Sequence, residues 1–157
     1  MKNFISNMME WIRPAGIVII FFFAYYFSND AVTRFHILGP FVVMLFSGTV
    51  AFESLILGEF ASEKIGYKPD RSYQIQSGLA NLAIAVTALI IYIINWGLYA
   101  DTTIVIAMLL FFTFSAVNHL YSAISKKNFK PVNLMRPLMA LLLLAAMLYP
   151  MIQALKK

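Results

Sequence analysis

The chain contains no cysteine, which excludes disulfides, thiolate metal centres and a cysteine nucleophile, and leaves no redox-compartment signal to read. It is also short of charge: 12% of its 157 residues are Asp, Glu, Lys or Arg, against 61% hydrophobic, and the mean hydropathy is +0.78. A soluble domain carries about 25% charged residues, so a membrane protein is the class that fits. G-x-S-x-G, H-E-x-x-H, a Walker loop and a dinucleotide-binding glycine run are all missing, and with them any sequence ground for hydrolase, zinc-peptidase or nucleotide chemistry. No catalytic residue and no cofactor are expected. The net charge of +5 lies in short loops between apolar runs. It reads as a topology signal and a contact with anionic lipid, not as a nucleic-acid surface.

What the chain does have is a series of apolar runs. Phe4, Ile5, Met8, Met9 and Ile12 fall near one helical face, bordered by Lys2, Asn3, Glu10 and Arg13, which predicts a short interfacial helix over residues 1–12. Pro14 suits the first turn of a helix and opens a first span over about 13–28, with Arg13 snorkelling to the surface. A cleaved signal peptide is disfavoured because Phe27-Ser28-Asn29-Asp30 lacks the small-x-small pattern. Further spans are read at about 39–60, 73–96, 102–124 and 137–155, each long enough for a hydrocarbon core of about 30 Å. Gly97 to Asp101 allows only a tight turn, with Asp101 or Thr102 placed to cap the incoming helix. Pro150 should kink or fray the far end of the last span. The expected fold is all-α: one polytopic transmembrane helix bundle of five spans, or four if the first run does not cross.

Lysine and arginine then orient the bundle. One side collects Lys2, Arg13, Lys64, Lys68, Arg71, Lys126, Lys127, Lys130 and Arg136, the other only Arg34, Lys156 and Lys157. The positive-inside rule places the N-terminus in the cytoplasm and makes this a multi-pass protein of the cytoplasmic (inner) membrane. Trp11, Tyr67, Tyr73 and Tyr121 fall at the inner ends and Tyr25, Tyr26, Trp96, Tyr99 and Tyr149 at the outer ends, as interfacial aromatics should.

Polar groups at membrane depth supply the functional candidates. Glu53, Asn81 and His119 lie at similar expected depths, about two turns from the cytoplasmic ends of their spans. Gln74, Ser77, Asn81, Ala85 and Ala88 make one polar-to-small stripe at helical spacing, and Ser115, Asn118, His119 and Ser122 make another. Both stripes should face the bundle interior, because lipid offers polar groups no partner and small residues let backbones approach. Glu59 and Glu63 share a face at the cytoplasmic rim, within reach of Lys64, Lys68 or Arg71.

The sharp reading is a site for a proton or small polar ligand built from Glu53, His119, Asn81, Asn118, Gln74 and Glu59, since ionisable residues inside a membrane are costly and tend to be functional. Glu53 and His119 form its titrating pair, because burial disfavours the charged form of each. The bland reading is interhelical glue, with Glu53 bonded to Asn81 or His119. One carboxylate and one histidine fall short of the ligand count zinc needs, so no metal site is assigned. His36, beside Arg34, reads as an interfacial histidine. The alternatives in function are a non-catalytic accessory subunit or homo-oligomer component, and a membrane-embedded metal-dependent enzyme. Expected partners are the lipid bilayer and either a second copy or another membrane subunit.

Tyr73-Gln74-Ile75-Gln76-Ser77-Gly78-Leu79-Ala80-Asn81-Leu82-Ala83, Ser115-Ala116-Val117-Asn118-His119 and Asn128-Phe129-Lys130-Pro131-Val132-Asn133 resemble an uncharacterised family of small bacterial and archaeal integral-membrane proteins. That family opens one span with an aromatic-Gln pair and an A-N-L core, carries Gly-His in the next, and places N-x-x-P-x-N before the last. Gln76 stands where the family pattern has a carboxylate, and Asn118 where it has glycine. The resemblance brings no activity, but it puts weight on Gln74, Asn81, His119 and Asn133.

Overall fold

The computed structural model describes residues 2–156, with side chains from Phe4 onward. The described residues are helical, in the order α1 (Lys2–Phe27), α2 (Ala31–Ile56), α3 (Gly58–Ile65), α4 (Arg71–Ile94), α5 (Leu98–Ser125) and α6 (Pro131–Leu155). Every helix but α3 is long and apolar enough to cross a membrane, which agrees with the five spans expected.

α2 is the axis and touches every other helix. Its Phe35, Leu38, Val42, Val43 and Phe46 meet Ala88 and Ile91 of α4, Val105 and Met108 of α5, and Leu143 and Met147 of α6 in one core. α4 lays its expected stripe against α2: Gln74, Gly78, Asn81, Ala85, Ala88 and Ile91 are its buried residues. Small side chains on that face let the two backbones come close, since in lipid close packing drives helix association. α1 is peripheral. Its backbone lies close to α2 and α3 alone among the described helices, and its apolar window is 11% buried against 50% for α2.

Several boundaries differ from expectation, each for a local reason. Of the interfacial helix expected over residues 1–12, Met1 lies outside the described residues and 2–12 do not form a separate helix. From Lys2 onward they run unbroken through Pro14 into the span, because Glu10 and Arg13 find ion-pair partners within the bundle and the segment need not turn along the surface. α2 begins at Ala31, well before Pro40, because the Asp30 carboxylate accepts hydrogen bonds from the amides of Val32 and Thr33 at 2.9 and 3.0 Å. Pro40 is therefore interior. α5 begins at Leu98, after Gly97 in a left-handed conformation (φ 91°), so neither Asp101 nor Thr102 is its cap. The first-turn proline of α6 is Pro131; Pro137 lies inside the helix, and so does Pro150, through which the helix continues to Leu155.

The second expected span breaks at Leu57, and the chain turns into α3, which crosses the end of the bundle and touches α1, α2, α4 and α6. Helix breaks leave carbonyls without partners. Here Arg71 supplies them, donating to the carbonyls of Ser54 and Leu55 at 3.2 and 2.9 Å. Gly58 makes room for this join, since a Cβ there would lie 2.3 Å from Gln74 Oε1 and 2.8 Å from Arg71 Nη1. Gly66 then closes α3 in the left-handed region (φ 78°), with Tyr67 N–H reaching back to the Ser62 carbonyl at 2.9 Å, the pairing of a Schellman close.

A cavity beneath a shared ion-pair network

Three helix ends and the α3 crosspiece meet at the charge-rich end of the bundle. Arg13 does not snorkel outward: it is 4% exposed, and its guanidinium pairs with Glu53, which is 5% exposed. Arg13 Nε also donates to Thr49 Oγ1 at 3.0 Å, and Nη1 lies 3.4 Å from Glu10 Oε2. Lys64, on α3, bridges the two carboxylates at 2.9 Å to Glu10 Oε1 and 3.0 Å to Glu53 Oε1, and donates to the Ser6 carbonyl at 2.8 Å. Arg136 of α6 reaches Glu10 Oε1 at 2.9 Å. Five charged side chains thus share partners. The reason is physical: a charge withdrawn from water is tolerable only when paired and hydrogen-bonded. Glu53 is held by two cations, not by Asn81 or His119 as the glue reading expects.

His119 is held separately. Asn133 Nδ2 donates to the carbonyls of Asn128 at 2.9 Å and His119 at 3.4 Å, which turns Asn133 Oδ1 toward His119 Nδ1 at 2.7 Å. An amide oxygen only accepts, so Nδ1 carries a proton and Nε2 is the ring nitrogen that Asn133 leaves unengaged. Tyr67 stacks on the imidazole, with centroids 5.5 Å apart and 20° between planes, and its hydroxyl lies 3.3 Å from the same Nδ1. The N-x-x-P-x-N segment acquires a physical account here. Asn128 donates to the carbonyls of Ile65 and Gly66 at 2.8 and 3.3 Å, Pro131 starts α6, and Asn133 orients His119.

Between the ion-pair network and His119 lies a cavity of about 380 Å³ to which all six helices contribute. Glu53, His119, Gln74 and Asn118 line it, together with Glu10, Arg13, Tyr67 and Arg136. Gln74 is buried; its Nε2 donates to Ser62 Oγ at 2.8 Å, while its Oε1 has no partner. Asn118 lines the cavity yet stays exposed, so that position of the α5 stripe does not turn fully inward. Two candidates lie elsewhere. Asn81 is buried within the stripe that faces α2, where its Nδ2 donates to the Ser77 carbonyl at 2.9 Å and its Oδ1 is unpaired. Glu59 is exposed on α3.

α2 stops at Ile56, three residues past Glu53, and its last turn lies beside the first turns of α4: a Cβ at Gly58 would meet Gln74 and one at Gly78 would meet Ser54 and Leu55. Nothing in the pattern of the sequence marks Lys64, Tyr67 or Arg136 as part of a site; Lys64 and Arg136 read as loop charges and Tyr67 as an interfacial aromatic. Their signal is spacing of another kind, since Arg13 and Arg136 each lie inside an apolar helix with a carboxylate of another helix as the available partner. Among the described residues no group of three or more His, Asp or Glu is arranged to hold a metal ion.

A helical bundle with five membrane-length apolar helices and a cavity ringed by paired charges defines a multi-pass membrane protein. Residues 10–156 match DUF6790, a family of unknown function, and the chain belongs to that family. The match extends beyond the three segments that carry the resemblance and takes in Glu10 and Arg13. No curated protein and no solved structure matches the chain.

Proposed function

We propose that the protein binds a small polar ligand in this cavity, at the cytoplasmic end of a bundle in the cytoplasmic membrane, with Glu53, His119, Gln74 and Asn118 among the contacting residues. The observation that carries the reading is the cavity itself: one space of about 380 Å³ is lined by both Glu53 and His119, from α2 and α5, and lies within the size range of small-molecule sites. Its fixed chemistry suits recognition. Asn133 engages His119 at Nδ1 and leaves Nε2 unengaged, Gln74 Oε1 is an acceptor without a partner, and the carboxylate of Glu53 is held by Arg13 and Lys64. The cytoplasmic assignment rests on the excess of Lys and Arg at this end. A subunit role would be favoured by a polar stripe left for another chain to cover. The stripe on α4 is already buried within this chain, which favours a ligand over an assembly contact.

Because the chain has no cysteine, single cysteines test the reading directly. Ser115→Cys lines the cavity, Leu120→Cys sits on the exposed apolar face of the same helix, and Asn95→Cys marks the opposite end. A membrane-impermeant maleimide should label Ser115→Cys in inside-out vesicles and not in right-side-out ones, Asn95→Cys in the reverse, and Leu120→Cys in neither. Labelling of Ser115→Cys only from the side that labels Asn95→Cys, or from neither side, overturns the reading.

A further inference from the structure

We propose that the ligand is an acidic amphiphile with a single negative charge, a carboxylate or phosphate head on an apolar tail, and that Arg136 receives the head; this rests on the cavity being a ligand site. The charge count is the first observation. Among the described residues Arg13, Lys64 and Arg136 share only Glu10 and Glu53, and the exposed Lys68 and Asp70 on the same cavity wall cancel each other. His119 is counted as neutral, because it is buried and burial disfavours the charged imidazole. One positive charge is left over at a place where an uncompensated charge is costly, and an anion balances it.

The second observation is independent of charge. Arg136 lines the cavity, and its guanidinium is engaged through Nη2 alone, by Glu10 at 2.9 Å, with no acceptor among the described residues meeting Nη1. An arginine with an unused N–H on a cavity wall is a place for a carboxylate or phosphate oxygen, for which the guanidinium fork is suited.

The third observation fixes the rest of the ligand. Phe46, Phe112 and Leu143 also line the cavity, each seven residues deeper into the bundle than Glu53, His119 and Arg136 on the same three helices, or about 10 Å at 1.5 Å per residue. The space is charged at its outer rim and apolar below. At the ~30 Å³ a water occupies in the liquid, 380 Å³ holds roughly a dozen non-hydrogen atoms. That is the size of a medium-chain acid, or of the head and first carbons of an acidic lipid.

The full chain carrying Trp96→Phe leaves Trp11, at the cavity, as the only tryptophan. In phosphatidylcholine nanodiscs its fluorescence should respond saturably to octanoate, with octanol and octylammonium at least about tenfold weaker. Arg136→Gln should weaken octanoate by about tenfold or more. Glu10→Gln should tighten it, because the carboxylate that occupies Arg136 is removed; this variant decides the matter if Arg136→Gln fails to fold. Octanol or octylammonium binding as tightly as octanoate overturns the acidic-ligand inference and leaves the cavity reading standing. So does an unaltered octanoate affinity in Arg136→Gln or a weakened one in Glu10→Gln. The absence of saturable binding by any of the three probes overturns both. Replacing phosphatidylcholine with phosphatidylglycerol separates the two sources: competition with octanoate identifies the lipid headgroup, and unchanged affinity identifies a soluble acid, each in keeping with the proposed chemistry.

Discussion

The two ends of the bundle solve the same problem differently. At the end away from the cavity a single buried carboxylate, Asp101, meets a single histidine, His36, at 2.9 Å between Oδ2 and Nδ1, and the imidazole stacks on Tyr92 with centroids 5.2 Å apart. Asp101 Oδ1 is left without a partner, and the small hollow of about 120 Å³ nearby is lined by neither residue. At the charge-rich end two carboxylates are shared among three cations, and a cavity three times larger opens beside them. A closed pair is sufficient to fasten α2 to α5. A shared network with a cation in excess fastens α1, α2, α3 and α6 and still leaves a charge to offer, which is the difference between a fastening and a site.

The comparison breaks first at Arg13. Arg13→Ala leaves Glu53 buried with Lys64 as its only cation, and Thr49 Oγ1 without its donor, so a loss of about 3–5 kcal/mol is expected, read as the unfolding midpoint of the purified protein in detergent. The double variant Arg13→Met with Glu53→Leu should recover part of that loss, since it also removes the buried carboxylate that has lost one of its two cations, while Lys64 and Arg136 still share Glu10. If Arg13→Ala costs no more than the Asp101 substitution below, the network is not what holds this end together. Asn133→Ala should come next, at about 1–3 kcal/mol, because it strips the buried carbonyls of Asn128 and His119 of a donor and His119 of its acceptor. It should also abolish any dependence of ligand binding on His119→Gln, as the ring is no longer held in one tautomer.

The fold was largely legible in the sequence because hydropathy over spans of about 20 residues is a strong signal and lipid permits helices alone among open structures. Five spans, the α4 stripe and the inward faces of Gln74, Asn81 and His119 follow from it. Legibility ended where side chains choose partners across helices. Glu53 was readable as a residue of interest, but its partner was not: Arg13 and Lys64 lie 40 and 11 residues away, and periodicity carries no information about separations of that kind. The break at Leu57 escaped for a related reason. Leu57-Gly58 is an unremarkable pair within an apolar run until Arg71 and Gln74 occupy the space beside it. Asp101 was misplaced because two turn residues, Gly97 and Asp101, competed for the helix start; the positive φ at Gly97 settles it and frees the carboxylate for His36.

At the end away from the cavity the expected effects are smaller. Asp101→Asn keeps an oxygen to accept from His36 Nδ1 and places an amide where Oδ1 had no partner, so the loss should be on the order of 1 kcal/mol or less, the scale of interhelical hydrogen bonds in membranes. A loss as large as that of Arg13→Ala would mean that the ends do not differ in the way the contacts suggest.

The smallest effect is the sharpest control on the cavity. Glu59 and Glu53 are carboxylates six residues apart on either side of the Leu57 break, one exposed on α3 and the other buried and held by two cations. Had α2 continued straight, as the hydropathy implies, Glu59 would stand about 9 Å beyond Glu53 and about 120° around the helix axis from it. The break instead swings it onto the outer face of the crosspiece. Glu59→Gln should therefore leave the unfolding midpoint, the cytoplasmic labelling of Ser115→Cys and octanoate affinity all unchanged, since an exposed substitution away from packing and ion pairs shifts stability by no more than about 0.5 kcal/mol. A change in labelling or affinity would put Glu59 at the cavity, and α3 would then be a movable cover over the site and not a fixed end to the bundle.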